Sequence, residues 1–162
     1  MLYMHPASTQ EELKMIRLAL SADGHVNEPG DLWTRNLPPA LVDAGPRVEV
    51  REGKIAIVVE GRVIRRLAEA PPNMEEGSTT SLGGWGQNDA VSRLKVLEED
   101  GVSGEVLYPT VTFFTAYSIK NPDLQRAVCE VYNDWLADAF ADPHFAPVAV
   151  LPSAQPDACV KE

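Results

Sequence analysis

From residue 88 to residue 152 the chain alternates helix and strand, and that order restricts its possible folds more than any other feature. Val91, Leu94 and Leu97 recur at helical spacing within 88–100, and Gly101 follows where a left-handed C-cap is wanted. "SGEVLYPT", residues 103–110, then reads as a strand that stops at Pro109, because proline cannot donate to a sheet ladder. Asn121 and Pro122 open a second helix as cap and first-turn proline, with Leu124, Val128, Val131, Trp135 and Leu136 along one side to about residue 141. "FAPVAVLP", 145–152, supplies another buried strand, and "QPDACVKE" the opening turn of a further helix. Upstream, "MIRLALSA", 15–22, has apolar residues on both faces, as expected of a strand buried on two sides. Strand, helix, strand, helix, strand is the order of a parallel α/β sheet joined by crossovers.

Two segments interrupt this order. Residues 47–67 hold three Val- and Ile-rich stretches separated by Glu-Gly pairs at 52–53 and 60–61, the pattern of a small antiparallel meander inserted between parallel strands. Residues 71–88 are polar and glycine-rich, too long and too poor in apolar spacing for an element, and are expected to be a mobile loop. Residues 1–14 form an extra amino-terminal segment. A parallel sheet needs both faces covered, and three strands with two full helices do not cover them. The expectation is therefore the amino-terminal part of one larger α/β domain, as a fragment or a truncated product.

Composition excludes several classes. The formal net charge of −10 repels a phosphate backbone, so nucleic acid is not an expected partner. With no apolar run of membrane-spanning length, no membrane association is expected either. The first twenty residues lack a continuous apolar core, which argues against a secretion signal and for the cytoplasm. Cys129 and Cys159, thirty apart, suit two reduced thiols.

The segment "SADGHVNEPGDLW", 21–33, carries the chemistry. Asp23 and His25 stand two apart at the end of the first strand, so an extended backbone points their side chains the same way. Taken alone, such a pair is more often a polar turn than a metal site. His144 lies in a connection and reads as structural, Tyr132 and Trp135 as core, and "LEEDG" as a solvated helix end.

Together with "GGW" at 83–85, "RLKVLEEDGVSGEVLYPT" and "VYNDWLADAFADPHFAPVAVLP", that segment resembles the amino-terminal part of the amidohydrolase-related family of metal-dependent hydrolases, relatives of aminocarboxymuconate-semialdehyde decarboxylase. The likeness covers roughly residues 17–162, with the blocks in the family's order. It implies a (β/α)8 TIM barrel about twice this length, here incomplete, with the active site at the carboxyl ends of its strands. It also implies a divalent metal, zinc before manganese, held in part by Asp23 and His25, with an acid where many relatives have histidine. Glu28 would either reach the metal or orient His25 from behind. Trp33, Tyr108 and Thr110 are candidates to touch substrate, and Trp85 to belong to a lid. The family's later histidines and aspartate fall beyond Glu162, and neither His5 nor His144 lies where the family puts a ligand. The resemblance thus implies a hydrolase or non-oxidative decarboxylase acting on a small molecule, with this chain inactive alone and without metal if the partial site is too weak. The competing expectation is a non-catalytic module that pairs with itself or a companion through its open sheet edge.

Overall fold

A computed structural model describes residues 19–82 and 89–160. Its elements, in chain order, are β1 (Leu20–His25), α1 (Leu32–Asn36), β2 (Arg47–Arg51), β3 (Lys54–Val59), β4 (Arg62–Glu69), α2 (Ala90–Asp100), β5 (Gly104–Tyr108), α3 (Val111–Thr115), α4 (Pro122–Ala139), β6 (Phe145–Pro147) and α5 (Pro156–Cys159). Two three-stranded sheets result, a parallel one in the order β1-β5-β6 and a separate antiparallel one in the order β2-β3-β4. The α/β class, the parallel pairing and the meander all match the sequence.

The local signals explain most boundaries. Both meander turns place Glu and Gly at positive φ, Glu52 at 54° with Gly53 at 71°, and Glu60 at 49° with Gly61 at 67°. That pair of values defines the tight hairpin turn matching the right-handed twist of its strands. Asp89 caps α2 by accepting from the Ser92 amide at 2.8 Å, and Gly101 closes the helix in the left-handed region. Asn121 caps α4 through the amides of Asp123 and Leu124, with Pro122 in the first turn.

Three expectations need correction. Among the described residues the first strand is Leu20–His25, and residues 15–18 of the expected strand lie outside them. That strand is not buried on both sides: Leu20 is 71% exposed and Ala22 and Asp23 are exposed, because among the described residues β1 pairs only with β5 and one face of the sheet is uncovered. Val91 points outward at 66% exposed, and Arg93 takes the inward position on α2 instead. The described part of the 71–88 loop is tied down rather than free, since the Val50 amide donates to Ser78 O and the amides of Gly77 and Thr80 donate to Val50 O and Val48 O. The remainder of that loop, including Trp85, lies outside the described residues, as does His5. Sequence reasoning also passed over α3 and the 3-10 turn Ala116–Ser118 that continues it.

Helix α4 joins the two halves. Its Leu124, Ala127 and Val128 pack with Leu32, Trp33, Val48, Ile57 and Val59 over the meander. Its Cys129, Tyr132 and Leu136 pack with Leu107, Phe145 and Leu97 under the parallel sheet. Both cysteines are free thiols, Cys129 buried and Cys159 half-buried. Among the described residues no helix is long and apolar enough to cross a membrane.

Glu60 ties the meander to the start of α4. Its carboxylate accepts from the amides of Lys120 and Asn121 and from Arg62. Burial works to raise its pKa, but those amides and the Arg62 guanidinium outweigh it and hold the carboxyl below its usual value of 4.5. A depressed carboxyl contributes stability that is present above the ordinary value and lost as pH falls through the folded one. Glu60→Gln is therefore expected to lose stability less steeply than the native chain below pH 4.5. Parallel acid-unfolding curves for the two would contradict this.

Candidate metal centre

The parallel sheet has two unlike faces. Glu105, Leu107 and Phe145 face the helices, whereas His25, Val106, Tyr108 and Ala146 face the uncovered side, with His25 paired to Tyr108 and Val106 to Ala146 in register. A register irregularity between Ser21 and Gly24 adds a residue to β1, so Ser21 and Gly24, three apart, both turn toward Glu105. Asp23 and His25 then lie together on the open side, at its carboxyl end.

His25 Nε2 stands 3.8 Å from Asp23 Oδ1. His25 Nδ1 is 2.9 Å from the carbonyl of Pro109. A carbonyl only accepts, so Nδ1 carries a proton, and in the neutral ring Nε2, the nitrogen nearer Asp23, is the one with the lone pair. That is the tautomer a metal-binding imidazole uses, its second nitrogen anchored on a carbonyl. Two ligands held about 2.1 Å from one tetrahedral ion stand about 3.4 Å apart, so this pair needs only a small closing movement to share a cation. The two side chains fit the chemistry of zinc or manganese as two ligands of a set.

The third candidate does not join them. Glu28 is 1% exposed, and its Oε2 accepts from the Val111 amide at 2.8 Å while its Oε1 accepts from the Thr112 amide at 2.8 Å and the Thr112 hydroxyl at 2.7 Å. Burial pushes its pKa above the usual carboxylate value, and these hydrogen bonds pull it part of the way back. The buried Tyr132 hydroxyl is pushed up as well, by burial first and then by the nearby Glu28 charge. Among the described residues no group of three His, Cys, Asp or Glu side chains is placed to hold a metal ion.

Tyr108 is half-buried beside the pair, its ring centroid 5.9 Å from that of His25. Thr110 is half-buried at the start of α3 and makes no side-chain cap there. Trp33 is 2% exposed and packs in the core with Leu32 on the inward face of α1. A surface cleft of about 580 Å³ does open beside α1 and α4, lined by Asn36, Asp134, Trp135 and Asp138, but neither Asp23 nor His25 reaches it.

Two residues that sequence reasoning missed support the pair from the helix side. Arg93 Nε donates to Glu105 Oε2 at 2.6 Å, an ion pair with both side chains largely buried, and Arg93 Nη1 donates to the backbone carbonyl of His25 at 2.8 Å. Ser21 Oγ donates to Glu105 Oε1 at 3.1 Å. A Cβ at Gly24 would sit 2.6 Å from Glu105 Cγ and closer still to its carboxylate, so any side chain there would displace Glu105 from its position against Arg93. An arginine inside an otherwise amphipathic helix was the available signal.

The structure is similar to the crystal structure of an amidohydrolase from Mycobacterium avium subsp. paratuberculosis, with a TM-score of 0.66 and 16% identity over 89% of this chain and 45% of that one. The two chains share a fold. At that identity the likeness extends to the fold alone, and this chain spans less than half the length of that amidohydrolase. No protein-family model matches the sequence, and no curated protein does.

Proposed function

We propose that the chain carries the first-strand half of the metal site of an amidohydrolase-like enzyme, built on the opening three strands of an incomplete (β/α)8 barrel. The single observation that carries this is the His25 imidazole with Nδ1 anchored on Pro109 and Nε2 turned to Asp23 at 3.8 Å. The uncovered sheet face supports the barrel reading, because in a closed barrel that face becomes the packed interior. Asp23 in place of the more usual histidine is similar to the aminocarboxymuconate-semialdehyde decarboxylase-like branch and to relatives with the Asp-x-His-x-x-Glu-Pro pattern that residues 23–29 carry.

When bound, a divalent ion supplies Lewis acidity, to activate water for attack on a carbonyl or to hold a substrate carboxylate during decarboxylation. The chain's own residues hold and orient. Asp23 supplies charge and His25 a neutral nitrogen of fixed tautomer, while Tyr108 places a hydroxyl-bearing ring beside them. Catalytic zinc normally has three protein ligands, so Asp23 and His25 would make up part of such a set.

Metal titration of the purified chain tests this. Zinc or manganese is expected to bind at one per chain and to be lost in both Asp23→Ala and His25→Ala with the fold retained. A native chain that takes up no more metal than the double variant overturns the reading. Mass measured on the same samples addresses the second reading, self-association through the uncovered sheet: a metal-free oligomer unaffected by either substitution favours it.

A further inference from the structure

We infer that Glu28 is a positioning residue for His25, acting through the turn at residues 109–112, an assignment whose functional meaning rests on the reading of His25 as a metal ligand. The turn joins β5 to α3 and is held to the segment after β1 from several sides. The Val26 amide donates to Tyr108 O at 2.9 Å, and His25 Nδ1 donates to Pro109 O at 2.9 Å. The amides of Val111 and Thr112 and the Thr112 hydroxyl all donate to Glu28, within 2.8 Å.

The chemistry explains why an acid stands there. The first amides of a helix have no partner inside it, and Thr110 offers no side-chain cap. These amides are buried, so their partner must come from elsewhere in the chain, and it must accept three hydrogen bonds at once. A carboxylate has the lone pairs for that and an amide or hydroxyl side chain does not. Glu28 sits three residues after His25, so the two side chains grip opposite ends of one four-residue turn. With Glu28 holding Val111 and Thr112, the Pro109 carbonyl is fixed against the imidazole and selects the Nδ1-protonated ring. Glu28 thus sets which nitrogen of His25 is free, without touching that ring's open side.

The test reads the tautomer of His25 directly in the metal-free chain. Nitrogen-15 NMR of the imidazole, at a pH about two units above the ordinary histidine value of about 6.5, is expected to show one dominant Nδ1-protonated form in the native chain. Glu28→Gln is expected to give a mixture resembling a solvent-exposed histidine, and zinc affinity is expected to fall about 10- to 100-fold. Thr112→Val removes one of the three donors and leaves the carboxylate in place. It is expected to keep the fold and to shift the tautomer part of the way, so it decides the matter if Glu28→Gln does not fold. Folded variants with the native tautomer ratio overturn the inference. Because the tautomer is read without metal, a chain that binds no zinc overturns only the metal reading, whereas an unchanged tautomer overturns only the role of Glu28.

Discussion

Glu105→Ala is expected to lower folding stability by about 3–5 kcal/mol, the usual cost of stranding one charge of a buried pair. The substitution leaves the Arg93 guanidinium facing the sheet with its 2.6 Å partner gone, and it also frees Ser21 Oγ. For a domain of this size that loss corresponds to a melting temperature lower by roughly 6–20 °C. The matching double variant Arg93→Met with Glu105→Leu is expected to recover much of the loss, since apolar residues of similar volume can replace a buried ion pair at little cost. Calorimetric melting of the three proteins checks both statements. A drop below about 1 kcal/mol for Glu105→Ala would show that solvent reaches the pair and screens it.

Glu28→Ala is expected to cost about 2–4 kcal/mol for a different reason. It removes no opposite charge, but it leaves two amides and a hydroxyl buried without an acceptor, each such group costing about 1–3 kcal/mol before relaxation. Water entering the space vacated by the side chain would recover part of this. Urea unfolding measures the loss, and amide hydrogen exchange locates it: the amides of Val111 and Thr112 are expected to lose protection before those of α4. A variant with native stability and native protection at 111 and 112 would contradict the capping role. Both substitutions are expected to loosen His25, one through its backbone carbonyl and the other through the Pro109 turn.

Much of the fold was legible because its signals are local. A Glu-Gly pair between Val-rich segments can close a hairpin with no help from distant residues, and both turns formed where the pairs stand. Asn121 with Pro122, and Asp89 with Gly101, mark helix ends by satisfying backbone groups two or three residues away. The same holds for the candidate pair, since Asp23 and His25 share a side by the two-residue alternation of a strand. Trp33 shows the limit: a tryptophan after a polar motif reads as pocket wall or, more often, as core, and only the packing of α1 against α4 places it at 2% exposed.

By itself, then, the sequence determined the order of the parallel strands, the meander and the two long helices, the two hairpin turns, the helix caps and the shared direction of Asp23 and His25. Tertiary structure alone decided that Glu28 reaches Thr112, 84 residues away, that Arg93 turns inward to Glu105, and that Gly24 has no room for a side chain. The physical reason is the range of the interactions: turn and cap preferences are settled by neighbouring backbone, whereas the partner of a buried charge is whichever group the packed segments bring to it.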